Sequence, residues 1–138
     1  MKNTDMFADL STTLAKDLFL ETVYPWEVLP RIKDSVRGLG QALSLDEYNH
    51  PAPEVWIHKS AKLYPNIYID GPTVIGAETE IRPGAFIRGS VLVGKGCVVG
   101  NSTELKNCIL FDKVQVPHYN YVGDSILGNY AHMGAGSI

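Results

Sequence analysis

The chain has 138 residues, with 12 Lys+Arg against 15 Asp+Glu for a formal charge of −3, and is 45% hydrophobic and 20% charged. Its basic residues are few and dispersed, so no Lys/Arg-rich face is present to release counterions, and nucleic acid is excluded as an expected partner. The apolar fraction is too high for a disordered tail, and neither a membrane-length apolar run nor a signal-peptide h-region is seen, so a cytoplasmic chain without a membrane partner is expected.

Residues 1 to about 45 carry a helical period, within an N-terminal segment of residues 1–50. Phe7, Leu10, Leu14 and Leu18 follow the candidate caps Asn3, Thr4 and Asp5 and predict a helix over about 5–21. Pro25 interrupts the pattern, and a second apolar stripe comes after it at Leu29, Ile32, Val36, Leu39 and Leu43, weakened by Gly38 and Gly40. The expectation is an α-helical hairpin that caps the start of the next domain. Pro51-Ala52-Pro53 cannot continue a helix, which puts the domain boundary near residue 50.

From Trp56 the period changes to six. Ile57, Leu63, Ile69, Ile75, Ile81, Ile87, Val93, Val99 and Leu105 are nine consecutive aliphatic residues in one register. Ile, Leu and Val make up about a quarter of the chain, so such a run arises by chance about once in a few hundred thousand trials. The fourth residue after each aliphatic is mostly small or β-branched, and Gly, Asp or a polar residue stands at the turns. This is the pattern of a hexapeptide β-helix, mainly β in class, with three hexapeptides to a triangular coil. Beyond Leu105 the frame continues as Leu110, Val116, Val122, Leu127 and Met133, with two five-residue steps that predict tightened corners. The pattern is still running at Ile138, so a solenoid over 51–138 is expected to be truncated and to leave an open edge.

Chemistry in such a fold sits on the outside or between subunits. Arg88 and Lys106 are one coil apart and are expected to project from the same corner at adjacent levels, where two cations repel unless an anion lies between them. The alternative is two solvated surface charges, with Glu104 offsetting Lys106. His118, in the aromatic and polar segment Val116–Asp124, is a candidate general base or a plain surface histidine. The four histidines lack metal spacing, so no metal is expected, and Cys97 and Cys108 read as small buried hydrophobes.

Gly100-Asn101-Ser102-Thr103-Glu104-Leu105-Lys106, His118-Tyr119-Asn120-Tyr121-Val122-Gly123-Asp124 and Gly134-Ala135-Gly136 fit the patterns G-N-x-x-E-x-K, H-x-x-Y-x-G-D and G-A-G. In this the chain resembles the left-handed β-helix domain of the bacterial bifunctional N-acetylglucosamine-1-phosphate uridyltransferase and glucosamine-1-phosphate N-acetyltransferase, and the shorter proteins related to that pyrophosphorylase. The resemblance implies a left-handed parallel β-helix, a homotrimer and acetyl transfer from acetyl-CoA to an amino sugar 1-phosphate. It makes His118 the general base, places Lys106 on the sugar phosphate and Tyr121 at the sugar, and sets Ala135 against acetyl-CoA. The family arginine falls in an R-P-G-A motif, whose letters sit at Arg82, whereas the one-coil spacing selects Arg88, the preferred assignment. His132 stands at a substrate-contacting position where the family has asparagine. No glycine-rich nucleotide loop is present near the N-terminus, so uridylyl transfer is not expected. The alternatives are a non-catalytic sugar-phosphate-binding or trimerisation module, or a truncated copy of a longer enzyme.

Overall fold

A computed structural model describes residues 25–134; the helix expected over 5–21, and Ala135, lie outside the described residues. Short 3-10 turns at Pro25–Glu27 and Leu29–Arg31 lead into helix α1 (Ile32–Ala42), which buries Ile32, Val36 and Gly40 at a spacing of four. A hairpin of β1 (Tyr48–Ala52) and β2 (Val55–His58), paired antiparallel, then opens the solenoid. Very short strands come next: β3 (Lys62–Leu63), β4 (Tyr68–Ile69), β5 (Thr73–Ile75), β6 (Glu80–Ile81), β7 (Phe86–Ile87), β8 (Val91–Val93) and β9 (Val98–Asn101). The last three are β10 (Glu104–Leu110), β11 (Gln115–His118) and β12 (Tyr121–Leu127).

Parallel pairing stacks these strands into a left-handed β-helix of about four turns with three faces. The first face holds β2, β5, β8 and the second halves of β10 and β12; the second holds β3, β6, β9 and β11; the third holds β4, β7 and the first halves of β10 and β12. Each face sends one aliphatic ladder inward. The ladders are Ile57–Ile75–Val93–Leu110–Leu127, Leu63–Ile81–Val99–Val116 and Ile69–Ile87–Leu105–Val122. The six-residue frame read from the sequence is therefore the strand register itself. The two five-residue steps are real as well: Val55, Thr73, Val91, Cys108 and Ser125 pair in turn, so coils of 18 residues give way to coils of 17. The missing residue comes out of the corner between the third and first faces, where β10 and β12 run through the bend without a break. Asn107 and Asp124 take left-handed backbone there (φ 48° and 47°), and the Asn107 amide donates to the Asp124 carboxylate at 2.8 Å.

The corners are closed by small buried groups. Thr79 Oγ1 donates to the Gly94 carbonyl at 2.7 Å and accepts from the Cys97 amide at 3.0 Å. Burial raises the Cys97 thiol to about 11 and the Cys108 thiol to about 12, so both stay protonated, unreactive core residues at neutral pH.

Outward residues of the first face are apolar too, namely Trp56, Val74, Leu92, Ile109 and Ile126; α1 packs over them with Ile32 and Val36, and the turn before it with Val28. The helix lies along the side of the solenoid and reaches from Trp56 to Phe111, where the sequence suggested a lid over the first coil. The reason is that the first face has a second apolar stripe to cover. Arg37 on α1 fastens the arrangement by donating from Nε to the Glu54 carboxylate at 2.8 Å, an ion pair that holds this carboxyl below its ordinary pKa. Two glycines of α1 separate helix propensity from packing. A Cβ at Gly40 would land in the Trp56 ring, whereas one at Gly38 meets nothing within 4 Å. Gly38→Ala is expected to stabilise by about 1 kcal/mol, the helix-interior penalty of glycine, and Gly40→Ala to destabilise by about 2 kcal/mol through overpacking. Urea denaturation of the two variants checks both signs.

Candidate functional site

Among the described residues no element covers the third face, and alternation along its strands brings every second side chain outward. Two outward columns result. One runs Tyr68, Phe86, Glu104, Tyr121; the other runs Asp70, Arg88, Lys106, Gly123. Vertical neighbours are one strand spacing apart, about 4.8 Å. The Arg88 amide donates to the Leu105 carbonyl at 2.8 Å, which carries the ladder on and sets Arg88 directly above Lys106. The two cations thus stand at adjacent levels, as their spacing predicts.

Their charges are not equally available. Arg88 Nη1 donates to Glu104 Oε2 at 2.7 Å, and this hydrogen bond raises the Arg88 pKa and keeps the guanidinium charged. Glu104 therefore serves Arg88, and the reading in which it offsets Lys106 is corrected: the carboxylate reaches diagonally up one coil instead of along its own strand. The Lys106 side chain is exposed and has no hydrogen-bond or ion-pair partner among the described residues. Below it, glycine at 123 makes room for the Tyr121 phenol, since a Cβ there would strike the Tyr121 hydroxyl. Tyr121 thus leans from one column across to the other beneath Lys106.

His118 ends β11 on the second face, opposite Asn101 and at the corner that leads into Tyr121. It is exposed and has no side-chain partner among the described residues. Tyr119 in that corner takes φ 48°, an uncommon conformation for an aromatic residue, and Asn120 turns inward, donating to the Met133 carbonyl at 3.4 Å. Arg82 sits on the second face and pairs with Glu80 at 3.2 Å, so it is Arg88, and not Arg82, that stands beside Lys106. His132 lies on the second face as well, bridged to Gln115 and bonded from Nδ1 to its Oε1 at 3.0 Å. Arg88, Lys106 and Tyr121 are thus brought onto one face and His118 to its corner, while His132 is not part of that face.

Two features of this face escaped the sequence reading. One is the Arg88–Glu104 pair. The other is Tyr68 and Phe86, exposed by 54% and 44% and in edge contact at 4.9 Å between ring centroids. Their 18-residue spacing was the available signal. A cavity of about 320 Å³ opens at the end of the first coil among Val55, Ile57, Leu63 and Ile69, and holds none of the candidate site residues. Among the described residues no three His, Cys, Asp or Glu side chains group to hold a metal ion, and no helix is long and apolar enough to cross a membrane.

A family model described as the GMPPB C-terminal domain matches residues 69–138, which is half of the chain. The bifunctional protein GlmU of Synechococcus elongatus is 31% identical over 120 residues, covering 76% of this chain and 26% of the relative. That of Methanococcus aeolicus is 31% identical over 112 residues (68% and 27%), and that of Thermodesulfovibrio yellowstonii 29% over 121 residues (63% and 27%). The chain thus spans about a quarter of the length of the curated relatives it matches.

Proposed function

The chain belongs to the GMPPB C-terminal domain family, and on that footing we propose that it serves sugar nucleotide biosynthesis by moving an acetyl group from acetyl-CoA to an amino sugar 1-phosphate. The observation that carries this reading is the third face, where Arg88 and Lys106 stack at adjacent levels with Tyr121 beneath them and His118 at the corner. A phosphate monoester between the two cations relieves their repulsion and takes charge-assisted hydrogen bonds from both. Tyr121 then lies against the sugar. His118, with no partner on either ring nitrogen among the described residues, takes a proton from the sugar amine as that nitrogen attacks the thioester carbonyl. The new C–N bond forms, the C–S bond breaks, and coenzyme A leaves as a thiolate that gains a proton. The site is open to solvent on one chain. A homotrimer, in which a neighbouring solenoid closes it and helps to hold acetyl-CoA, completes the proposal, with the protein acting in the cytoplasm.

One observation favours a second reading, a non-catalytic sugar-phosphate-binding or trimerisation module. His132, assigned to the substrate through the resemblance, is engaged by Gln115 on another face. A thiol-release assay with acetyl-CoA and glucosamine 1-phosphate, read alongside calorimetry, separates the two. The buried Cys97 and Cys108 thiols give the assay a low background. Release of one thiol per acetylated sugar is expected. Sugar-phosphate binding with no release and no acetyl-CoA binding selects the binding module, and no binding of either ligand removes both the enzyme and the sugar-phosphate-binding module.

A further inference from the structure

We propose that Glu104 is the specificity determinant of the third face, selecting a ligand that carries an amino group beside its phosphate over one that carries phosphate alone. The inference rests on the reading of Arg88 and Lys106 as a phosphate site. Without ligand, the Glu104 carboxylate is bonded to Arg88 at 2.7 Å, so the site holds an anion of its own in contact with one arm of the clamp. Only Nη1 of Arg88 is committed to Glu104, so a phosphate that engages the rest of the guanidinium fork comes to lie against the Glu104 carboxylate, and the two anions repel.

The charges decide which ligand tolerates this. Arg88, Lys106 and Glu104 sum to one positive charge. A phosphate monoester dianion takes the complex to one negative charge, whereas a dianion with an ammonium on the neighbouring carbon brings it to zero. Geometry agrees. An amine on the ring carbon next to the phosphate ester is a close neighbour of the phosphate, and Glu104 stands one strand spacing and one column from Arg88 and in the next outward position before Lys106. The amino sugar phosphate thus carries the charge that separates the two anions: Arg88 and Lys106 hold the phosphate, and the Glu104 carboxylate takes the ammonium. The ammonium first gives one proton to solvent, which frees the nitrogen to attack, and the amide that acetylation leaves is uncharged. The product then sets its phosphate against the Glu104 carboxylate with no ammonium between them, so the same residue favours substrate entry and product release.

Calorimetry on the full chain with glucosamine 1-phosphate, glucose 1-phosphate and N-acetylglucosamine 1-phosphate tests this in the wild type and in Glu104→Gln. The wild type is expected to bind the amino sugar about tenfold more tightly than either other sugar, the size of one charge-assisted contact. In Glu104→Gln the three affinities are expected to converge within about twofold, with glucose 1-phosphate binding more tightly than it does to the wild type. The wild-type preference is itself a measurement that no folding defect in the variant can obscure. Equal binding of the three sugars by the wild type, or an unchanged preference in a folded Glu104→Gln, overturns the role of Glu104 and leaves the phosphate site standing. No binding of any of the three overturns the phosphate site and the role together.

Discussion

Gly100→Ala is expected to destabilise the protein by about 3 kcal/mol or more, beyond the usual range of overpacking, because the collision is between two backbones. Gly100 lies on β9 opposite Pro117 of β11, and a Cβ at position 100 would land on the Pro117 carbonyl. No rotamer relieves such a contact. The third and fourth coils have to separate instead, which breaks the pairing of Asn101 with His118 and strains the Thr103 amide bond to the Gly100 carbonyl at 3.2 Å. For a domain of this size the loss corresponds to a fall of about 10 °C or more in melting temperature. Thermal unfolding followed by circular dichroism measures it, and a wild-type transition in Gly100→Ala would show that the coils are not in this close contact. Because β11 ends in His118, any residual folded fraction should also lose sugar-phosphate turnover.

His118→Ala is expected to lower kcat about 10²- to 10⁴-fold, the range of a positioned general base, with KM for the sugar phosphate changed much less. The separation comes from geometry. The proposed phosphate contacts, Arg88 and Lys106, are on the third face, whereas His118 reaches the site from the corner and supports no other described side chain. Its exposure also means that the melting temperature should stay where it is. Steady-state thiol release together with thermal melting gives the three quantities. A variant with wild-type kcat ends the assignment of His118 as the base, and one that loses stability and turnover together shows a structural residue instead.

The architecture was written in the sequence because a hexapeptide solenoid has local rules. Each aliphatic in the frame from Ile57 to Met133 states its own depth, and the shortened steps after Leu105 and Val122 name the corner that lost a residue. The seating of α1 has a signal in the sequence as well. Trp56-Ile57, Val74-Ile75, Leu92-Val93, Ile109-Leu110 and Ile126-Leu127 are apolar pairs, and they recur on the first face. A face that is apolar both inside and outside must be covered. The candidate site was legible in part. Spacing placed Arg88 over Lys106, since one coil is one level, and it separated Arg88 from Arg82 where motif letters did not. Spacing did not show that Glu104 would pair diagonally with Arg88, because long side chains choose among several neighbours within reach on a flat face. Nor did it show that His132 would engage Gln115, a pairing that depends on the shortened coils bringing position 132 into line with position 115.

The position of α1 also bears on how the molecule comes apart. In a plain solenoid each coil touches only the next, and an end coil can fray while the rest stays ordered. Here one rigid element is bonded to Glu54 at the first coil and packed, through its apolar stripe and the turn before it, as far as Phe111 at the fourth. Loss of a middle coil costs the helix its seat, and loss of the helix uncovers Val74, Leu92 and Ile109 together. Amides of β5, β8 and β10 should therefore exchange with solvent as one group at a single opening free energy, instead of in a gradient from the ends, so that what is built as a stack unfolds as a unit.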